Sequence, residues 1–229
     1  MFFGGFEKFT LIDYPGKTAC MVYTVGCPFR CPYCHNPELV NETCKIKIDE
    51  KEILNFLSNR KNMLDGVVIT GGEPSMCGEK LIEFMRKVKN LGFLIKLDSN
   101  GVDPDFLQKV IDEKLVDYIA MDIKAPIIKY MQTVGRSVDT EAIRKSIEII
   151  KKSGIEYEFR TTVVRSMLSL QDFEQIGKEI EGAKRFFLQK FIPRKVLSPQ
   201  FIKKTTYTDD EFAGIKFRVE KYVEFCGVR

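Results

Sequence analysis

Short apolar segments alternate with amphipathic segments along most of the chain. The apolar segments are rich in β-branched and aromatic residues and end at polar or glycine-containing turns, which is typical of buried strands. We predict strands at residues 19–25, 66–70, 93–97, 118–121, 155–164 and 186–189. The segments between them repeat apolar residues every three or four positions, which indicates helices that bury one face.

Capping residues define where these helices begin and end. Pro104 suits the first position of a helix, Gly154 suits the position after a helix, and Thr208 with Glu211 forms a capping box. We predict helices at about 49–59, 79–91, from 103 onwards, at 140–152, 169–181 and 208–225.

The repeated order of strand and helix predicts an α/β fold with a parallel sheet covered by helices. Right-handed crossovers allow either an open sheet or a barrel, and six units are too few for the closed eight-stranded barrel. We therefore predict an open partial TIM barrel of about six parallel β/α units with a C-terminal helix. Within one domain, 1–229, we expect a lead-in segment at 1–17, the partial barrel at 18–192 and a C-terminal extension at 193–229.

Composition and charge narrow the functional classes. The chain has 229 residues, is 44% hydrophobic and 30% charged, and has a net charge of +4, so we expect no nucleic-acid partner. No apolar run has the length of a membrane span, and Glu7 and Lys8 follow the short apolar start at once, unlike a signal peptide. The seven cysteines are odd in number and three are clustered, which favours a reducing cytoplasm over a disulfide framework.

The three clustered cysteines follow the first predicted strand directly. Cys27, Cys31 and Cys34 have the spacing Cys-x3-Cys-x2-Cys, so their thiolates can converge on one metal centre. A structural zinc site and an ordinary cubane cluster both use four protein ligands. A cubane held by three cysteines leaves one iron open to a substrate or cofactor. The alternative is a zinc site completed by His35, which is disfavoured because the adjacent Cys34 and His35 project in different directions.

Further polar and glycine-rich residues follow the next three strands: Gly71-Gly72-Glu73-Pro74, Asp98-Ser99-Asn100-Gly101 and Asp122-Ile123-Lys124. Parallel α/β folds bind ligands at the carboxyl ends of their strands. Two glycines let a backbone approach a ligand closely, and Glu73 or nearby carbonyls can accept hydrogen bonds from an ammonium group. Each motif alone is also compatible with an ordinary turn, and Lys124 with a plain ion pair to Asp122. Arg160, within the fifth strand, requires an anion, either a ligand carboxylate or a protein carboxylate.

Together these residues resemble the radical S-adenosylmethionine (SAM) superfamily. The resemblance rests on residues 27–34 and 71–74, each after its expected strand. Within the superfamily, Asp13-Tyr14-Pro15-Gly16, Tyr33-Cys34-His35-Asn36, and the motifs at 98–101 and 122–124 resemble glycyl-radical-enzyme activating proteins. The anaerobic ribonucleoside-triphosphate reductase activating type is the most similar, and the resemblance extends from about Phe3 to Phe191.

This resemblance implies the cofactors and the reaction. Cys27, Cys31 and Cys34 hold a [4Fe-4S] cluster, and the amino and carboxylate groups of SAM bind the open iron. One electron from the reduced cluster cleaves SAM to methionine and a 5′-deoxyadenosyl radical. The radical then takes a hydrogen atom from a glycine Cα of a partner enzyme. A glycyl radical enzyme is the implied partner, and flavodoxin or ferredoxin the implied electron donor.

The resemblance also implies a role for each remaining motif. The backbone around Gly71, Gly72, Glu73 and Pro74 receives the methionine ammonium, and Tyr33 and Ile192 lie against the adenine. The residues near the ribose and the methionine carboxylate are Ser99, Asn100, Asp122, Lys124 and Arg160. Asp98 and Asp122 match a monovalent-cation site. The partner's glycine loop is received by Asp13, Tyr14, Pro15 and Gly16.

Three alternatives stay open. One is a small-molecule radical enzyme, such as a 7-carboxy-7-deazaguanine synthase acting on a pterin, and another is a pyruvate formate-lyase-type activating enzyme. The third is a non-enzymatic metal-binding module. The chain lacks a second cysteine-rich segment, which counts against the larger activators. It also has Phe191-Ile192-Pro193 where some formate-lyase activators have a histidine.

Overall fold

The computed structural model describes residues 1–229, and contacts divide the chain into two units. The first unit comprises Met1–Pro28, Glu38–Ser99 and Asp105–Ile119. The second comprises Phe29–Pro37, Asn100–Pro104 and Ala120–Arg229. The single domain predicted from the sequence stays a prediction. None of the helices combines the length and the apolar composition needed to span a membrane.

The first unit is built around parallel strands with one antiparallel edge strand. Its elements, two of which begin one residue outside it, are β1 (Phe2–Phe3), β2 (Gly5–Thr10), β3 (Ala19–Thr24), α1 (Pro37–Val40), β4 (Ile48–Asp49), α2 (Glu50–Ser58), β5 (Gly66–Gly71), α3 (Glu79–Asn90), β6 (Leu94–Ser99) and α4 (Pro104–Asp112). Strands β3, β5 and β6 pair in parallel, and β2 pairs antiparallel with β3. A separate antiparallel pair joins β1 to β4.

Burial explains why these strands lie inside the unit. Val67, Val68 and Ile69 of β5 are fully buried in succession, as expected of a parallel strand covered on both faces. Helix α3 buries Leu81 and Met85, which lie four residues apart on one face.

The second unit repeats this construction. Strand β7 (Tyr118–Asp122) crosses the boundary after Ile119. The later elements are α5 (Tyr130–Val134), α6 (Thr140–Lys152), β8 (Glu156–Val163), α7 (Leu170–Glu179), β9 (Phe186–Lys190), α8 (Asp209–Val219) and β10 (Cys226–Val228). Strands β8, β9 and β10 pair in parallel.

The predicted fold class is confirmed, because the chain has an α/β fold with a mostly parallel sheet. All six predicted strands are present, but Asp98 and Ser99 lie within β6 and Asp122 is the last residue of β7 rather than following it. The predicted lead-in segment contains β2, which the sequence did not reveal because Glu7 and Lys8 interrupt the alternation of apolar and polar residues. Exposed charges of this kind are typical of an edge strand.

The prediction of a helix as far as residue 225 was wrong. Helix α8 ends at Val219, and the carbonyls of Tyr222 and Phe225 accept hydrogen bonds from Gly182 N (2.8 Å) and Phe186 N (2.9 Å). These bonds bring the chain end alongside β9, where it forms β10. Pairing with a neighbouring strand thus overrides a helical pattern that continues past Val219.

Candidate functional site

Cys27, the first cysteine of the Cys-x3-Cys-x2-Cys motif, follows Gly26, which is packed against the Gly71–Pro74 loop. Gly26 O accepts a hydrogen bond from Glu73 N (2.7 Å), and Gly26 N donates to Leu39 O (2.9 Å). A Cβ built on Gly72 would lie 2.0 Å from Gly26 O. The backbones of the two motifs therefore touch within the first unit, and only glycine at position 72 permits that approach.

Gly71, at the end of β5, allows a second close contact, between its own backbone and that of Thr24. Its φ of 124° lies outside the range of ordinary side chains, and a Cβ there would meet the backbone of Thr24. The loop after β5 is therefore shaped by two glycines, each for a separate steric reason.

Glu73 is used inside this unit as a structural acceptor. Its side chain is 1% exposed, and its Oε1 accepts hydrogen bonds from Ser75 N (3.2 Å), Ser75 Oγ (2.9 Å) and Ser99 Oγ (2.9 Å). The structure thus brings the predicted motifs at 71–74 and 98–101 together through Glu73 and Ser99.

Cys31 and Cys34, the other two cysteines of the motif, lie in the second unit and share a tight turn. Cys34 N donates to Cys31 O (3.0 Å), and Arg30 N donates to Val134 O at the end of α5 (2.7 Å). None of Cys27, Cys31 and Cys34 is in a disulfide. Burial raises the pKa of the Cys31 thiol to about 11, although the ammonium group of Lys124 acts in the opposite direction.

Residues after β9 fix this turn from the other side. Leu197 N donates to Cys34 O and Ser198 N donates to Pro32 O, both at 2.9 Å. His35 Nε2 donates to Ile192 O (2.9 Å), and the His35 ring stacks on Phe191 at a centroid distance of 5.7 Å. The sequence did not reveal this role for His35, because its partner lies 157 residues further along the chain.

A partly buried charged cluster, formed by Asp122, Lys124 and Arg160, lies in the same unit. Asp122 accepts hydrogen bonds from Arg160 Nε (2.8 Å) and Lys124 Nζ (3.1 Å). Burial alone would raise the pKa of Asp122, but the two cationic groups outweigh it and hold this pKa well below its usual range. The same carboxylate keeps the pKa of Lys124 well above its usual range despite burial. Arg160 thus has a protein carboxylate as partner, one of the two anions that the sequence left open.

Tyr33 has the only buried side-chain polar atom without a hydrogen-bond partner among the residues described, its hydroxyl oxygen. The side chain is 5% exposed. Burial raises the pKa of Tyr33 well above its usual range, and the negative charge of a Cys31 thiolate would add to this effect. A buried hydroxyl is unfavourable unless it interacts with a polar group. The neighbouring group here is the Cys31 thiol, whose pKa the Tyr33 hydroxyl lowers, so the hydroxyl faces the cysteine turn.

The predicted partner segment is only partly on the surface. Pro15 and Gly16 are exposed, whereas Tyr14 is 3% exposed. The Tyr14 ring lies against Gly66 and 6.0 Å from the ring of Tyr118. Its side chain therefore packs in the core of the first unit, and a contact of this segment with a partner stays a prediction.

Asn100 and Ile192, two residues predicted to contact SAM, each make a hydrogen bond within the second unit. Asn100 Oδ1 accepts a hydrogen bond from Val102 N (3.0 Å), as in an Asx turn. The side chain of Ile192 is 52% exposed, while its carbonyl binds His35. The contacts of both residues with SAM stay predictions.

Comparison with known proteins identifies the family. The family model of the Radical SAM superfamily matches residues 21–180, which is more than half of the chain. The chain belongs to the radical SAM superfamily.

Relatives within the superfamily indicate the type. A protein of Methanocaldococcus jannaschii, whose provisional name is glycyl-radical enzyme activating enzyme, is 32% identical over 98% of this chain and 94% of its own length. The pyruvate formate-lyase-activating enzyme of Clostridium pasteurianum is 31% identical over 52% of this chain and 50% of its own. The 7-carboxy-7-deazaguanine synthase of Thermococcus kodakarensis is 22% identical over 91% of this chain and 89% of its own.

Solved structures share the fold. Streptococcus suis SuiB has a TM-score of 0.66 at 14% identity, covering 91% of this chain and 48% of SuiB. A domain of a pyruvate-formate lyase-activating enzyme from Bacteroides vulgatus has a TM-score of 0.58 at 14% identity, covering 72% of this chain and 98% of that domain.

These findings confirm that the chain is a radical SAM enzyme of the glycyl-radical-enzyme activating type. Membership of the superfamily implies a [4Fe-4S] cluster and SAM. The donor chemistry suits the cluster, because Cys27, Cys31 and Cys34 are all free thiols. Their joint use as its ligands, and the contacts of Tyr33 with SAM, stay predictions.

Proposed function

We propose that this protein activates a glycyl radical enzyme, and that anaerobic ribonucleoside-triphosphate reductase is its partner. The observation that carries the activating function is the likeness to the M. jannaschii relative, which extends over nearly the whole of both chains. The choice of the reductase rests on the sequence motifs at 13–16, 33–36, 98–101 and 122–124 and on the absence of a second cysteine-rich segment.

Cys27, Cys31 and Cys34 are the proposed ligands of the cluster. When bound and reduced, the cluster supplies the electron that cleaves SAM to methionine and a 5′-deoxyadenosyl radical, which takes a hydrogen atom from the partner's glycine Cα. The protein contributes orientation. Its hydrogen bonds at Gly26, Cys31 and Cys34 hold the two halves of the cysteine loop, each within its own unit.

The charged cluster in the second unit suits the carboxylate of SAM. Lys124 and Arg160 carry two positive charges and Asp122 carries one negative charge, so the three side chains together have one net positive charge. A methionine carboxylate placed there is attracted by both cations. Asp122 then acts by fixing the positions of the two cationic side chains.

Other predicted contacts are retained in this proposal. The backbone of Gly71–Pro74 receives the methionine ammonium, with Glu73 and Ser99 setting the shape of that loop. Tyr33 lies against the adenine and offers its hydroxyl as a hydrogen-bond donor. Flavodoxin or ferredoxin supplies the electron.

Electron paramagnetic resonance (EPR) tests the proposed function. The protein is reconstituted anaerobically with iron and sulfide, reduced, and mixed with SAM and anaerobic ribonucleoside-triphosphate reductase. We expect a glycyl radical signal on the reductase, and none with the Cys31→Ala variant. A glycyl signal on pyruvate formate-lyase alone would contradict the choice of partner.

The full-length likeness to a 7-carboxy-7-deazaguanine synthase supports a second candidate, a radical enzyme that acts on a pterin. Turnover of a pterin without a glycyl signal on any partner would favour it. Tight zinc binding without iron uptake would refute both candidates.

A further inference from the structure

Lys96 and Asp98 form an ion pair in the first unit. Lys96 Nζ donates a hydrogen bond to Asp98 Oδ1 and forms an ion pair with it. The two residues are two positions apart on β6, so their side chains leave the same face of the strand. The pair is therefore built into a single strand and does not depend on a flexible loop.

Burial makes this ion pair a fixed feature. The Lys96 side chain is 3% exposed and that of Asp98 is 12% exposed. Lysine is almost never fully buried unless it is paired, and removing one partner of a buried pair leaves an uncompensated charge. Lys96 Nζ also lies 5.9 Å from the centroid of the Tyr118 ring, a distance at which an aromatic face attracts a cation.

Asp98 and Asp122 are the two residues that match a monovalent-cation site by resemblance. Each carboxylate already has cationic side chains from its own unit: Asp98 has Lys96, and Asp122 has Lys124 and Arg160. A metal cation at either carboxylate would lie beside a group of like charge. The residues present therefore do not fit an exchangeable monovalent cation.

We propose that the ammonium group of Lys96 supplies at Asp98 the positive charge that an exchangeable monovalent cation would otherwise provide. An ammonium group and a potassium ion carry the same charge and are similar in size. The ion pair with Lys96 then fixes the position of Asp98 and of the next residue, Ser99. The Oγ of Ser99 donates a hydrogen bond to Glu73 Oε1 (2.9 Å). Lys96 is thus a positioning residue for the strand end that the proposed function assigns to SAM, and only this last step rests on the proposed function.

Thermal unfolding of the protein without cluster or SAM tests this directly. The unfolding temperature is measured in potassium chloride, sodium chloride and tetramethylammonium chloride at equal ionic strength. We expect the wild-type protein and Lys96→Arg to unfold at the same temperature in all three salts. For Lys96→Met, we expect potassium to raise the unfolding temperature by about 5 °C over tetramethylammonium, as for a ligand that binds the folded state.

A matched control is Lys109→Met, which removes a lysine from an ion pair with Glu79 whose side chains are 46% and 51% exposed. We expect this variant to show no preference among the salts. A wild-type protein stabilised specifically by potassium or sodium would overturn the proposal, as would a Lys96→Met variant that is indifferent to the cation. Failure of Lys96→Met to fold in any of the salts would equally count against it, because a free cation would then not replace the ammonium group.

SAM binding by the reconstituted protein gives the second readout. We expect the dissociation constant of the wild-type complex to be unchanged among the three salts, and that of Lys96→Met to be at least tenfold higher in tetramethylammonium than in potassium. Absence of SAM binding in every salt would refute the proposed function, whereas the thermal unfolding result would still decide the role of Lys96.

Discussion

Replacing Gly72 by alanine tests whether contact between two backbones positions the first cysteine. The added Cβ would lie 2.0 Å from Gly26 O and 2.7 Å from Gly26 C, both backbone atoms. Cβ contacts under 3.0 Å are essentially never seen, so one backbone has to move by about 1 Å, a misplacement on the scale that impairs catalysis. The same carbonyl accepts the hydrogen bond from Glu73 N (2.7 Å), which this movement breaks.

The magnitude follows from these two effects. Loss of a hydrogen bond costs about 0.5–1.5 kcal/mol, and overpacking costs about 1–3 kcal/mol. We expect the free energy of unfolding of Gly72→Ala to fall by about 2–4 kcal/mol in urea. Because Cys27 follows Gly26, we also expect SAM cleavage to fall by about two orders of magnitude, the usual cost of misplacing a reacting group by that distance.

The assay combines urea unfolding, iron content after anaerobic reconstitution, and formation of 5′-deoxyadenosine. Gly214→Ala is the control, since Gly214 lies in α8 and a Cβ there meets nothing within 4 Å. We expect this control to gain up to about 1 kcal/mol in stability, because alanine is the better helix former. Wild-type iron content and SAM cleavage in Gly72→Ala would refute the claim that this contact positions Cys27.

Three further changes test other parts of the structure. Arg229→Met removes two hydrogen bonds (2.8 and 2.9 Å) to Glu158, which is 1% exposed, whereas Arg229 is 41% exposed. We expect a loss of about 1.5–3 kcal/mol in urea unfolding, as for hydrogen bonds to a charged group. His35→Phe keeps an aromatic ring but removes the Nε2 donor, and we expect about 1 kcal/mol lower stability with lower iron incorporation. Burial raises the pKa of Glu50, but hydrogen bonds such as that from Lys87 outweigh burial, so the pKa in the folded protein is lowered. The ionised Glu50 therefore stabilises the fold above its unfolded pKa of about 4.3, and this stabilisation is lost as pH falls below that value. In pH-dependent unfolding, Glu50→Gln should therefore be less stable than wild type at pH 7 and approach it in acid.

Each of these changes has a contrary outcome, and Arg229→Met also has a control. Lys190→Met removes an ion pair to Asp209, whose side chain is 84% exposed, and should change stability by less than about 1 kcal/mol. A loss as large as that of Arg229→Met would show that the cost does not come from burial. Unchanged iron incorporation in His35→Phe would separate His35 from the cysteine loop, and a constant difference between Glu50→Gln and wild type from pH 7 to acid would exclude the charge of Glu50 as the cause.

The strands and most helices followed from sequence patterns, as did the placement of Gly71, Ser99 and Asp122 at or near the ends of their strands. Uniformly apolar strands and capping residues are local signals, so they are readable without the fold. The same holds for glycines that allow a close approach, although the approach of Gly72 to Gly26 became specific only in the structure.

Long-range partners were not readable in this way. The sequence did not show that the His35 ring would bind a carbonyl after β9, or that Tyr14 would be buried beside Gly66. Lys96 was missed as well, because one lysine in an apolar strand has no local pattern that reveals its pairing with Asp98. Residues 226–228 were missed because pairing with β9 is a tertiary interaction that competes with helix propensity.

Isotope transfer tests the proposed activity most directly. A glycyl radical enzyme is prepared with deuterium at the Cα of its glycines and is incubated with the reduced, reconstituted protein and SAM. We expect the 5′-deoxyadenosine formed to contain deuterium, in step with the growth of the glycyl radical signal. Formation of 5′-deoxyadenosine without deuterium, while SAM is consumed, would contradict hydrogen abstraction from a partner's glycine.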